Sequence, residues 1–469
     1  MRLRAAIFLS LCTLGTISSE VMAADVSRPI LKAPVAPVHG YGWSGLYAGG
    51  NAGIGAAGTR AEAFGNNLSN DAGDAVDLFR SGFSGGAQMG YNFHFWPNVV
   101  LGVEGDIGTL RTKRIVCISQ NCSPANNLTQ LSSATSTFST LRGRVGYASD
   151  RFLIYGTAGA AWVKVKDDWT DIAAANELRE RTQTLSGWTA GGGLEVALAG
   201  NWTAKAEYLY VNAGKLTVTD PTDNAYIDYT HRYHVARLGL NYRLFGTSGA
   251  TAPAVATQAF NWTGFYVGAN LGAGAARTTG VITDPFLEGI WDHYKAGVTG
   301  GGQIGYNWQV APNVVLGVEA DLGVLDTARS FCLIGNNCAG AFRFVPSSET
   351  DFTGTLRARA GFAWDRSLLY VTGGAAWARV TDSWTDNTSL NSRTKTLSGW
   401  TLGGGLETAL AGNWTLKTEY IFVDVGHLRI ADADGIGNPG VTLVDFKHQY
   451  HVARLGLNYK FGAEPAASK

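Results

Sequence analysis

The chain has 469 residues, and its 37 Lys and Arg balance its 37 Asp and Glu. That balance gives no electrostatic reason to expect nucleic acid, which is held by clustered positive charge. Glycine is abundant at 61 residues beside 14 Trp, 18 Tyr and 20 Phe, and no run of roughly eighteen apolar residues suggests a spanning helix.

The chain opens with Arg2 and Arg4, an apolar run from Ala5 to Leu14, and Val21-Met22-Ala23. A basic start, a short apolar core and small residues at a cut site predict a cleaved signal peptide over 1–23. Its removal takes two basic residues and one acid and leaves a net charge of about −1. Residues 24–42, with Pro29, Pro34 and Pro37, read as an extended periplasmic lead-in.

From Trp43 onward the pattern is alternation with period two, the signature of strands with two different faces. Eight strands are expected over 43–57, 80–95, 98–112, 133–148, 151–166, 182–199, 201–216 and 229–245. Phe83, Gly85, Ala87, Met89, Tyr91 and Phe93 share one face of the second, against Ser84, Gln88 and Asn92. Val103 and Ile107 oppose Glu104 and Asp106 in the third, and Leu141 and Val145 oppose Arg142 and Arg144 in the fourth. The gaps alternate: tight turns at Trp96-Pro97, Ser149-Asp150 and Gly200, and polar loops over 58–79, 113–132, 167–181 and 217–228. Short turns on one side and long loops on the other, with aromatics such as Trp162, Trp202 and Tyr242 near strand ends, fit an outer-membrane barrel: apolar outward, polar inward. A soluble periplasmic β-protein is the plainer alternative.

The eighth strand carries YHVARLGLNY, Tyr233 to Tyr242, which recurs letter for letter from Tyr450 to Tyr459. After a linker over 246–261 the whole pattern repeats, with strands near 262–276, 296–309, 313–327, 349–364, 366–381, 394–411, 413–430 and 445–461. The fold expected is all-β: two tandem eight-stranded antiparallel transmembrane barrels over 43–245 and 262–461, with a tail over 462–469. One sixteen-stranded barrel is the alternative. The duplicated closing strand and the Pro253-containing linker favour two, since a bilayer demands that every strand edge be satisfied.

The inward faces gather charge. In the first copy these are Glu104, Asp106, Glu195 and Glu207 against Arg142, Arg144, Lys205, Arg237 and Arg243; in the second, Glu319, Asp321, Glu407 and Glu419 against Arg357, Arg359, Lys417, Arg454 and Lys460. An eight-stranded barrel is just wide enough for side chains to fill, so these charges are expected to pair as an interior plug, rather than line an open channel. Cys117/Cys122 and Cys332/Cys338 form two close pairs in an exported chain and are expected to be loop disulfides. No metal, cofactor or catalytic constellation is expected. Gly53-Ile54-Gly55-Ala56-Ala57-Gly58 matches GxGxxG, but no helix follows to make a dinucleotide site. His231 and His234, repeated as His448 and His451, stand three apart on strands and so face opposite ways; they are expected at the outer rim.

The W-[ST]-G-x-Y-x-G-x-N-x-G opening strand, the GYN…PNVVLGVE hairpin, TLR-x-R-x-G, LSGWT-x-GGGLE and the closing HVARLGLNY-[RK] resemble the small outer-membrane surface-antigen barrels of alphaproteobacteria, themselves similar to OmpA-type barrels. The resemblance covers each copy end to end. It implies a non-enzymatic integral outer-membrane protein with a structural, surface-exposed role, in contact with outer-membrane lipid and inserted by the barrel-insertion machinery. Alternatives in the same family are a porin-like passive channel and a binder of haemin or a host ligand through the outer loops.

Overall fold

A computed structural model describes residues 41–65, 75–118, 129–149, 151–171, 177–198, 200–220, 225–245, 260–283, 288–330, 345–385, 390–431 and 442–462. The segment expected as a signal peptide, Cys122, Cys332, Cys338 and most of the linker and tail lie outside them; the backbone of Cys117 lies opposite Gln130, one residue before the end of a strand.

The first eight strands are β1 (Gly45–Gly65), β2 (Ala75–Trp96), β3 (Val99–Ile118), β4 (Thr129–Ser149), β5 (Phe152–Asp171), β6 (Glu177–Ala197), β7 (Trp202–Asp220) and β8 (Ala225–Phe245). Each pairs antiparallel with its neighbour, and β1 pairs with both β2 and β8, which closes a barrel. The second eight are β9 (Gly264–Thr283), β10 (Glu288–Ala311), β11 (Val314–Ser330), β12 (Val345–Trp364), β13 (Ser367–Thr385), β14 (Leu390–Ala409), β15 (Trp414–Ala431) and β16 (Leu443–Lys460). There β9 pairs with β10 and β16 and closes a second barrel. The chain therefore forms two eight-stranded barrels and not one of sixteen; among the described residues β8 and β9 do not pair. Among the described residues one ladder contact between the barrels is present, joining Asp77 of β2 to Asp292 of β10.

The strands are longer than their alternation suggests. Much of the sequence expected as outer loop is strand, because the ladders continue past bulges at Thr109/Thr112, Thr135/Thr137 and Asn212/Gly214. Two pairings in the first barrel are exceptions. That of β2 with β3 stops at Ser84–Leu110 and that of β6 with β7 at Trp188–Asn212, although the strands continue outward. Arg181 of β6 bridges the seam between β6 and β7 by donating from Nη1 to the Thr217 carbonyl, 2.9 Å away. Arg393 does the same to the Arg429 carbonyl in the second barrel, at 3.1 Å.

Outward faces carry exposed apolar side chains such as Phe83, Met89, Val103, Ile107, Leu141, Val145, Leu238 and Leu240. Ten residues separate Phe152, next to a short turn, from outward-facing Trp162. At about 3.3 Å per residue and a tilt near 45°, that is roughly 23 Å, close to the apolar height of an outer membrane. Trp162 and Trp188 thus mark the outer interface, and Phe95, Trp96, Trp202 and Tyr242 the periplasmic one.

Candidate functional site: the barrel interiors

One strand shows how the first interior is layered. The inward residues of β5 run from Leu153 and Tyr155 at the periplasmic end through Ala161, Val163 and Val165 to Asp167 and Trp169, all buried. Around the barrel these levels become an apolar plug (Trp43, Val100, Ala148, Leu153), a charged layer, an apolar layer (Phe138, Val163, Leu209, Tyr233), a second polar layer, and an outermost apolar cluster (Leu78, Val116, Leu131, Trp169).

Arg142 organises the charged layer. Its guanidinium reaches Glu104 at 2.5 Å, Asp106 at 2.8 Å and Glu207 at 2.9 Å, and its Nε donates to Thr140, which in turn donates to Asp106. Arg144 pairs with Glu195 at 2.7 Å and donates to the Tyr47 hydroxyl, which donates to Glu104. Lys205 crosses the barrel to Glu104 at 2.7 Å. Arg237 holds Glu207 at 2.7 Å and Asp106 at 2.9 Å. Four cations thus meet four carboxylates, every one of them buried. An unpaired charge at this depth is costly, so each removes the penalty of its partner.

The second barrel repeats the layer. Arg357 pairs with Glu319, with Asp321 at 2.9 Å and with Glu419 at 2.9 Å. Arg359 meets Glu407 at 2.7 Å, Lys417 meets Glu319 at 2.8 Å, and Arg454 meets Glu419 at 2.7 Å. Arg243 and Lys460 stand apart from both clusters. Arg243 lies over the Tyr41 ring, 4.6 Å from its centroid, and Lys460 lies 5.0 Å over Phe260 and donates to the Asn261 carbonyl. These two cations pack on Tyr41 and Phe260, aromatic residues that precede the first strand of each barrel.

The histidines are not at the rim. His231 is fully buried inside the first barrel: its Nε2 donates to Asp167 at 2.8 Å, and Thr59 Oγ1 lies 3.1 Å from Nδ1. His448, Asp382 and Thr278 repeat this arrangement. Hydroxyl, imidazole and carboxylate in this order are the components of an activated nucleophile. Sequence reasoning did not place Thr59 or Asp167 beside the histidine, since their strands are distant in the chain. Thr59, Asp167 and His231 are at most 1% exposed, so no substrate reaches the hydroxyl. The arrangement belongs to the second polar layer, where Arg80 is bonded to Thr112 and Ser133.

His234 and His451 face outward, but each is covered by the other barrel. His234 Nδ1 is 2.5 Å from the Tyr208 hydroxyl, and His451 Nδ1 is 2.6 Å from that of Tyr420. Phe79 stacks on Tyr294 across the contact, and Arg114 pairs with Asp292 at 2.7 Å. Nearer the periplasm Arg151 pairs with Asp365 at 2.5 Å, and Leu194 and Val196 pack with Leu406. Gly53, within the GxGxxG match, is an inward position of β1, where a Cβ would come 2.1 Å from the Ala236 carbonyl oxygen. Close strand approach explains that glycine, and no helix follows it. Among the described residues no group of three or more His, Cys, Asp or Glu is placed to hold a metal ion.

The family model described as outer membrane protein beta-barrel domain matches residues 13–243 and again 244–461. The 31 kDa outer-membrane immunogenic protein of Brucella melitensis is 34% identical over 245 residues, which is 46% of this chain and 95% of that protein. The 25 kDa outer-membrane immunogenic protein of Brucella abortus is 29% identical over 214 residues, 45% of this chain and 84% of that protein. Among solved structures, Neisserial surface protein A aligns with 42% of this chain and 98% of its own at 16% identity and a TM-score of 0.21.

Proposed function

From the premise that this chain belongs to the outer-membrane β-barrel domain family and carries two of its domains in tandem, we propose a structural, non-catalytic role: a pair of closed barrels that stay plugged and present their outer ends at the cell surface. The observation that carries this reading is the charged layer of each barrel, in which four cations and four carboxylates neutralise one another between apolar layers. A conducting pore needs a wetted path past such a layer, and an interior of eight strands has no width to spare for one. The names of the Brucella relatives, outer-membrane immunogenic proteins, support exposure at the surface.

Single-channel recording of the full chain in planar bilayers tests the closed state. The expected trace shows no steady conductance beyond brief, small openings. Large, steady currents would replace this reading with that of a passive channel for small solutes.

A further inference from the structure

The two barrels share strand positions but not outward charge. Through β2 to β5 the copies align with a constant offset of 215, as Trp162 with Trp377 and Arg142 with Arg357. Just beyond Trp162, on the same outward face of β5, stand Lys164 and Lys166. Two strands away, β3 presents Arg111 and Lys113, all four being exposed. The register places Lys113 and Lys166 on either side of Ala134 of β4. Arg111 and Ser136 lie within the bulges beside it, and Thr137 is opposite Lys164. Small side chains thus form a floor between two walls of cations. Adjacent strands are about 4.8 Å apart, so the walls stand roughly 10 Å from each other, within joint reach of long basic side chains.

Lys166 pairs with Glu180 at 2.7 Å, and Asp168 stands two residues further out. Among the described residues Arg111, Lys113 and Lys164 make no ion pair within 4.0 Å, although the Asp168 carboxylate attracts both Lys166 and Lys113. The second barrel carries Asp326, Ala328, Arg379 and Thr381 in the four wall positions and Glu349, Asp351 and Phe352 on the floor. Its patch is acidic where the first is basic. Both barrels close with the same strand order, so the cations of the first are not needed for folding. They sit at the height where the apolar girdle ends and phosphorylated headgroups begin, on the side that faces lipid. A guanidinium supplies paired donors to a phosphate, and ammonium groups supply compact charge.

We propose that this face of the first barrel binds the phosphates of an outer-leaflet lipid, with Arg111, Lys113 and Lys164 as the contacts. The second barrel, acidic at the same place, does not bind there. Because the floor is open and the walls face lipid, the ligand arrives laterally from the membrane and not through the barrel.

The test uses the full chain reconstituted in vesicles of neutral phospholipid, titrated with lipopolysaccharide and, separately, with inorganic phosphate. Lys113→Ala with Lys164→Gln should weaken lipopolysaccharide binding roughly 30-fold, at about fivefold for each cation lost near an anionic surface. Lys113→Arg with Lys164→Arg should retain it, and Arg379→Gln in the second barrel should leave it unchanged. Heat-modifiable migration in gels checks that each variant is folded; the removed cations are exposed and the other copy lacks one of them. Equal lipopolysaccharide binding by the Ala/Gln variant would overturn the assignment. So would equal loss from Arg379→Gln, which would mean a general charge effect. Inorganic phosphate binding as tightly as the lipid would overturn the choice of a membrane ligand.

Discussion

Arg142 touches three carboxylates from two other strands, so its removal strands more than one charge. The Arg142→Leu substitution leaves Glu104, Asp106 and Glu207 short of a partner at a depth where water cannot replace it. Breaking a buried pair from one side costs about 3–5 kcal/mol. Lys205 and Arg237 still hold Glu104, Asp106 and Glu207, which places the expected loss at the lower end of that range. Urea unfolding of the full chain in lipid should show the first barrel's transition moved to lower denaturant and the second barrel's left in place. Arg357→Leu should reverse the pattern. An unchanged midpoint for both would mean that the ion cluster holds nothing together. Thr140 and Thr355, which each link an arginine to an aspartate, are smaller parts of the same cluster and should cost less.

At the scale of strands, much of the fold is legible in the sequence. The inner halves alternate without interruption, so Glu104 and Asp106 fall on one face and Val103 and Ile107 on the other, and the structure places them so. The outer halves are harder, because a bulge adds a residue and reverses the parity. Inward Thr140 and Phe138 of β4 are followed by inward Thr135 and Ser133, a break that reads as the start of a loop. The contact between barrels leaves only an anomaly in the sequence: a histidine on a face otherwise given to lipid. Its cover, Tyr294, comes from the other copy. The seam between β6 and β7 leaves no sequence signal beyond Gly214, whose positive φ of 86° follows the bulge. It has a measurable consequence. The Thr217 carbonyl points across the seam to Arg181, so the Thr217 amide, and that of Thr219, point to the same unpaired side. These amides should exchange with solvent on the order of 100-fold or more faster than those of Thr203–Val211, which are laddered on both edges. Equal protection along the whole of β7 would mean that the barrel wall is closed there.

For the molecule as a whole, the question is how far each barrel depends on the other. Each closes its own ring of strands, and among the described residues a single register pair joins the two. Folding of one barrel therefore needs no strand from the other. The contact between them matters in a different way. It covers His234 and Tyr208 on one side and His451 and Tyr420 on the other, polar groups on outward faces at or below the outer girdle. In lipid such groups are costly. Residues 24–245 and 246–469, expressed separately, should each refold in detergent as a heat-modifiable barrel. Mixed in bilayers, the two halves should then associate, because pairing removes those polar surfaces from lipid. Replacing Asp292 and Tyr294 in the second half by Leu should weaken that association without unfolding either half, since both side chains face outward and serve the contact. Should neither half fold alone, the closed rings of strands would not be sufficient and the tandem would be one cooperative unit. Should both fold but never associate, the outward histidines would need another explanation than cover by the neighbouring barrel.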